Sequence, residues 1–276
     1  MNDNDYLMES DEESYRLDIK TDPKLVQQQA LWAGIRPGMR VADLGCGPGK
    51  TSFYLNKLVG PDGVTVGIDN SKQRMAYANK HYQDKNLQFV LRDIRQDLDD
   101  LGKFDFVWVR FVLEYYRSTG FELVKKIMDI LKPGGIVCLI DLDYNCLTHY
   151  GIPARLESAL RGIRREVEKR ADFDPYVGRK LYAFLYDLGC HNIEVTMAPH
   201  HLIYGELNEV DEFNWTKKAE EGGKKSGYQF DEYTGGYEEF YQEFKRAFAD
   251  PRRFTYTPVI ACRGNKSESY EKTTSN

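Results

Sequence analysis

The stretch VADLGCGPGKTS, residues 41–52, puts Gly45, Gly47 and Gly49 within five positions, directly after a short apolar run. A strand, a glycine-rich turn and a helix start form a general ligand cradle. Small residues let the backbone come close, and the free N–H groups of the helix start point at the ligand. Spacing separates the versions of this device. The dinucleotide pattern GxGxxG needs a third glycine where Lys50 stands. The P-loop pattern GxxxxGK[ST] matches at Gly49, Lys50 and Thr51, but Leu44 occupies the place of its first glycine, so that reading is rejected.

Outward from the loop, short apolar runs alternate with helical patterns. RVADLG and TSFYLNKLV read as a strand and a helix closed by the turn GPDG. VTVGID is a second strand, followed by the helix SKQRMAYANKHY with Asn70 or Ser71 as its cap. LQFVLRD is a third strand and FDFVWVR a fourth; a helix through FELVKKIMDIL stops at KPGG, and IVCLIDLDY is a fifth strand. This alternation predicts an α/β fold, a doubly wound, mostly parallel sheet with helices on both faces. Ligands of such sheets bind at the carboxyl ends of the strands. Gly45, Gly47, Asp69, Asp93, Arg110 and Asp141 all fall on that rim.

After about residue 145 the pattern changes. PARLESALRGIRREVEKR and GRKLYAFLYDLG read as helices, while NIEVTMAP and FTYTPVIACRG read as two late strands forming an antiparallel edge pair. Between these strands, residues 205–252 form a helical insertion in which Tyr237, Phe240, Tyr241, Phe244 and Phe248 repeat at helical spacing. The plain reading of that stripe is packing of the insertion onto the core; the functional one is a lid lined by aromatic rings.

Two acids narrow the ligand. Asp43 lies two residues before Gly45, where a carboxylate repels pyrophosphate and attracts an ammonium or sulfonium. Asp69 ends the second strand, where it can accept both hydroxyls of a ribose. S-Adenosylmethionine combines a ribose with a cationic amino-acid portion. The blocks VADLGCGPG, VTVGIDNS, LRDIRQDL, FDFVWVRFVLEYY and LKPGGIVCLID, in this order, resemble the class I S-adenosylmethionine-dependent methyltransferases, most closely the small-molecule type related to quinone-biosynthesis C-methyltransferases. The resemblance covers residues 30–145 and extends to the late strands. It implies a seven-stranded sheet, with the last pair antiparallel. It further implies that Asp43 holds the methionine ammonium through water, that Gly45 and Gly47 crowd the methionine and ribose, and that Asp69 with Asn70 binds the ribose edge. Asp93 would accept the adenine amino group, Ile94 would contact the ring, and Arg110 would border the methionine. An Arg-Leu pair at Arg16 and Leu17 matches a lid helix of related proteins, with Tyr15 and Arg16 over the cofactor.

The expected organisation is therefore an acidic N-terminal segment with a lid helix over residues 1–29, and a methyltransferase core over 30–204 and 253–264. An insertion over 205–252 covers the substrate, and residues 265–276 form a flexible tail. The expected reaction is methyl transfer to a small-molecule acceptor by in-line displacement at the sulfonium. No decisive base is visible. Where relatives carry LEH after the fourth strand, this chain has Tyr115. His200 and His201 follow the sixth strand as further candidates, and strand alternation lets at most one face the site. Asp141 is a candidate for contacting substrate from the rim. Asp141, Asp143 and Asn145 do not have the arrangement of a catechol-type metal site, so no metal is expected.

Bulk properties agree. The chain has 276 residues, 41% of them hydrophobic, and 38 basic against 43 acidic side chains give a net charge of −5, which argues against a nucleic-acid partner. No apolar run is long enough to span a membrane and the start is acidic and polar, so cytoplasmic residence is expected. Five scattered cysteines without a CxxC pair argue against a disulfide framework or zinc, and Cys46, with no histidine beside it, reads as a loop filler. RFVL stands where DNA-base and glutamine amino-methylating enzymes carry [DN]PP[FYW]. The two other classes considered are a cofactor-binding regulatory protein without turnover and an NAD-dependent oxidoreductase. Asp43 and Lys50 speak against the latter.

Overall fold

Each glycine-punctuated apolar run forms a strand at the centre of one sheet. The computed structural model describes residues 12–145 and 147–268; the acidic segment through residue 11, Cys146 and the tail from residue 269 lie outside the described residues. Five parallel strands, β1 (Arg40–Leu44), β2 (Val64–Asp69), β3 (Leu87–Leu91), β4 (Phe104–Arg110) and β5 (Leu131–Leu142), are ordered β3-β2-β1-β4-β5. β8 (Phe254–Asn265) runs antiparallel to β5, with Ile136 opposite Asn265 and Leu142 opposite Val259. β7 (His191–Ile203) pairs with the other side of β8, antiparallel. The expected seven strands are present, and an eighth, the two-residue β6 (His149–Tyr150), pairs with the start of β8.

Alternation on the central strands serves two apolar layers. Ala42, Leu44, Val107, Val109, Val137 and Leu139 face one, while Val41, Phe106, Trp108, Ile136, Cys138 and Ile140 face the other. α5 (Gly120–Ile130) and α7 (Leu181–Asp187) cover the first layer, and α2 (Pro23–Ala33) with α3 (Lys50–Val59) covers the second. The helix signals work as the residues dictate. Asp22 caps α2, accepting from the Lys24 N–H at 2.9 Å, and Ser71 caps α4 (Lys72–His81) through the Arg74 N–H at 3.3 Å.

The division at residue 29/30 falls inside α2, whose Val26, Ala30 and Ala33 are fully buried in the core layer. A helix from the expected core packs with the insertion. α6 (Ala154–Arg170) contributes Leu156, Ala159, Ile163 and Val167 to one apolar cluster with α8 (Glu209–Lys225) and α9 (Gly236–Ala249). Phe240, Phe244 and Phe248 are buried in that cluster, so the aromatic stripe chiefly packs the insertion. Among the described residues no helix is long and apolar enough to cross a membrane.

Candidate active site

Beneath the rim, the glycine loop is shaped by its neighbours. Gly45 has φ 74°, and a Cβ there would lie 2.4 Å from Val112 Cγ2. A Cβ on Gly47 would meet only Leu17, at 3.9 Å, so this backbone faces open space. Asp43 is 2% exposed beneath the loop, where its Oδ2 accepts from Ser52 Oγ at 2.6 Å. Burial lifts its carboxyl to about 7, opposed by the Ser52 bond and the positive charge of Arg110. Cys46 is pushed well above the usual thiol range by burial and by Asp43 and Asp69, so it stays a neutral loop filler.

Asp69, at the end of β2, ties the loop to α4. Its Oδ2 accepts the Gly47 N–H at 3.0 Å, and its Oδ1 accepts the Ser71 N–H at 2.9 Å and Arg74 Nε at 3.1 Å. A carboxylate has about four lone-pair positions, so Oδ2 retains acceptor capacity toward the cavity. Asn70 is exposed on the cavity wall and Ile94 is buried against it. Asp93 departs from its expected direction. Its carboxylate accepts both Nε and Nη2 of Arg95 and closes a turn through the Arg95 N–H at 2.9 Å, off the cavity wall. That pairing, led by the Arg95 hydrogen bond, holds its carboxyl below the usual range.

Arg110 ends β4 on the cavity wall, its Nε donating to Gln29 Oε1 at 3.2 Å and its guanidinium 4.1 Å over the Phe111 ring. Burial lowers it to about 10 against the pull of Asp43, Asp141 and Asp22. Phe111 adopts φ 60°, rare for a residue with a side chain, and donates its N–H to the Ile140 carbonyl at 2.8 Å. Asp141 corrects the expectation of a rim contact. It is fully buried off the cavity wall and accepts the N–H groups of Val112, Glu114 and Leu142 at 3.2, 3.2 and 2.8 Å. It anchors the turn that follows β4. Burial, reinforced by Glu114, raises its carboxyl well above the usual range. Tyr115, at the end of the short helix Leu113–Tyr115, lines the cavity, its ring 6.0 Å from Phe173.

α1 (Glu13–Lys20) crosses over the loop. Buried Arg16 is clamped by Glu13 through two 2.7 Å bonds and donates to Asn214 Oδ1 on α8 at 2.5 Å. Lys50 Nζ donates to the Asp18 carbonyl at 2.8 Å, and the Tyr82 hydroxyl bonds the Asp18 carboxylate. Arg16 and Leu17 line the cavity, whereas Tyr15, expected beside them, is 56% exposed on the outer side of the helix.

The histidine pair overturns the alternation argument. β7 runs through both, and its register against β8 slips between His200 and Ile203, with His201 at φ 51°. This bulge turns both rings to one side, with centroids 3.9 Å apart. They lie behind the cavity wall: His200 packs 5.0 Å from Phe111, and His201 packs 5.8 Å from Trp215. Burial is the main cause of the depressed basicity of both, reinforced by the nearby cations; for His200 its neighbour His201 comes next. Neither Nε2 has a hydrogen-bond partner among the described residues, and His201 Nδ1 stands 3.9 Å from Asp211 Oδ1.

These walls border a half-open cavity of about 1770 Å³, more than the ~300–1000 Å³ that holds one drug-sized ligand. The cavity runs from Gly45, Asp69 and Ile94 to a chamber walled by Leu160, Ile163, Val167, Phe173, Trp215 and Phe244. Sequence reasoning missed Lys20, Glu114, Trp215 and Lys218 on its walls. A signal existed for α8: Trp215, Lys218, Ala219 and Gly222 recur at i, i+3, i+4 and i+7.

A parallel sheet ordered 3-2-1-4-5 with a late antiparallel pair, and a glycine loop facing an acid at the end of β2, define the class I S-adenosylmethionine-dependent methyltransferase fold. The chain belongs to the methyltransferase-domain family, whose model matches residues 35–222. It is 32% identical over 136 residues to a demethylmenaquinone methyltransferase of Lactococcus lactis, a match covering 45% of this chain and 53% of the relative. A Haemonchus contortus phosphoethanolamine N-methyltransferase solved with S-adenosylhomocysteine superposes with a TM-score of 0.53 at 16% identity, covering 88% of this chain and 52% of that one. The chain spans about half the length of both. The [4+2]-cyclase SpnF shares the fold with a TM-score of 0.51 at 16% identity, over 89% of this chain and 81% of its own.

Proposed function

We propose that this protein transfers a methyl group from S-adenosylmethionine to a small-molecule acceptor by in-line displacement. The observation that carries this reading is one continuous cavity, a glycine-walled cradle at one end and an aromatic chamber under α6 and α8 at the other. The bare backbone at Gly47 and the remaining acceptor capacity of Asp69 Oδ2 fit a ribose; buried Ile94 offers an apolar wall for adenine. Arg110 borders the methionine portion, and the Asp43 carboxylate beneath the loop attracts its ammonium.

S-Adenosylmethionine, when bound, supplies a methyl group activated by the sulfonium. The chain's own part is to align and to exclude water. α1 closes over the loop through the Arg16–Asn214 bond, and Trp215, Phe173 and Tyr115 wall the chamber. A reading in which the cofactor is bound without methyl transfer draws on one observation: of the candidates His200, His201, Asp141 and Tyr115, only Tyr115 lines the cavity.

Thermal shifts with S-adenosylhomocysteine, NAD and ATP test the cofactor. A ligand at 100 times its Kd adds about 2.7 kcal/mol of stability. S-Adenosylhomocysteine should stabilise the protein, and Asp69→Asn should abolish that gain; stabilisation by NAD alone would refute the reading. Release of S-adenosylhomocysteine with phenols, quinols or amines separates turnover from binding alone.

A further inference from the structure

Two lysines stand over two aromatic walls of the chamber. Lys20 Nζ, at the end of α1, lies 5.5 Å over the Phe111 ring, and Lys218 Nζ, on α8, lies 5.0 Å over the Trp215 ring. Lys20 makes no hydrogen bond or ion pair among the described residues. The charges acting on it are three cations, Lys218, Arg16 and Arg110, and one anion, Glu114. Arg16 is committed to Glu13 and Asn214, and Glu114 accepts Asn145 Nδ2 at 2.6 Å. One carboxylate against three cations leaves an excess of positive charge around an ammonium drawn from water, which the anion of a ligand would offset. In keeping with this, burial and the neighbouring cations push Lys20 well below its ordinary basicity.

Strand order assigns these charges to the acceptor. Along the rim, Ile94 and Asp69 flank the glycine loop on the β2–β3 side, whereas Phe111 follows β4 on the opposite side, next to the chamber. Arg110 and Lys20 stand over the same Phe111 ring, so a methionine portion reaching Arg110 would bring its methyl group, and with it the acceptor, beside Lys20. Beyond it the walls are Phe111, Trp215, Phe173 and the aliphatic side chains of α6.

We propose that the methyl acceptor is an aromatic acid, its rings against Trp215 and Phe173 and its carboxylate held by Lys20 with Lys218. This rests on the reading of the cavity as a cofactor and acceptor site. A charge-assisted bond of about 1.5–3 kcal/mol makes an acid about tenfold or more tighter than its neutral amide.

The test is titration calorimetry of the full chain with 1-naphthoate and 1-naphthamide, with and without S-adenosylhomocysteine. Wild type should prefer the acid by about tenfold or more. Lys20→Met and Lys20→Gln should remove most of that preference, Lys218→Met should reduce it, and Lys20→Arg should restore it. S-Adenosylhomocysteine affinity should stay near wild type throughout, which also reports that the variants are folded. Equal binding of acid and amide, or no binding of either at millimolar concentration, overturns the proposal. So does a Lys20→Met variant that loses S-adenosylhomocysteine while keeping the acid preference, because Lys20 then serves the carboxylate of the donor. Failure of wild type to bind S-adenosylhomocysteine overturns the cofactor reading instead, and the comparison without it still decides the acid preference.

Discussion

Asp43→Asn isolates the energetics of the buried acid beneath the loop. Burial moves its carboxyl from the ordinary 3.8 to about 7 in the native state. Between these values the folded protein keeps a proton that the unfolded chain gives up, so stability falls as pH rises through this window and is level above it. Roughly three pH units at ~1.4 kcal/mol each amount to ~4 kcal/mol. About 1.5 of those units lie between pH 5.5 and 8, or ~2 kcal/mol. Asn carries no titrating proton and keeps an oxygen for Ser52, so the variant should gain ~2 kcal/mol on wild type between the two pH values. Urea denaturation followed by tryptophan fluorescence reads this directly. A wild-type-to-variant difference equal at both pH values would refute the reasoning. The ammonium of a bound S-adenosyl ligand adds a second signature, because a nearby positive charge favours the carboxylate. Wild-type affinity for S-adenosylhomocysteine should rise by up to about tenfold per pH unit to about pH 7 and then level, while Asp43→Asn stays flat.

Two further perturbations probe the loop and its cover. Gly45→Ala forces a Cβ to 2.4 Å from Val112 Cγ2 at φ 74°, and should cost about 1–3 kcal/mol of stability, read as a lower urea midpoint; an unchanged midpoint would mean that the turn after β4 yields freely. Arg16→Met leaves Glu13 buried without its counter-charge and removes the bond to Asn214, the kind of loss that costs about 3–5 kcal/mol. Because α1 can open by itself, hydrogen exchange should accelerate over residues 13–20 but not in β1, with faster release of S-adenosylhomocysteine. Unaltered exchange in α1 would count against the clasp.

The sheet was legible because β1, β2, β4 and β5 bury both faces and so read as continuous apolar runs, each broken by glycine, proline or a capping residue. The glycine-loop end of the cavity was legible for a related reason: Gly45, Asp69, Asn70 and Arg110 stand at or just after strand ends, so strand order alone brings them to one rim. Side-chain direction was less accessible. Asp93 turns to Arg95, two residues on, a local competitor visible in LRDIRQDL, whereas Asp141 turns to backbone N–H groups set by the fold of a distant loop. The histidines needed a bulge that no composition announces. The Arg16–Asn214 bond joins residues 198 apart and leaves no local signal. α6 was read as core because its apolar stripe does not say which partner it meets.

The position of β8 bears on how the molecule is made. Among the described residues it is the last strand in sequence, yet it lies between β5 and β7 in the sheet. On the ribosome, β5 therefore emerges with its edge from Ile136 to Leu142 unpaired, and β7 emerges with no neighbour at all. α6, α7, α8 and α9 must all be synthesised before the strand that closes the gap appears. An open apolar edge of this kind invites pairing with other chains. Chains shortened before residue 254 should accordingly aggregate rather than accumulate as a folded core.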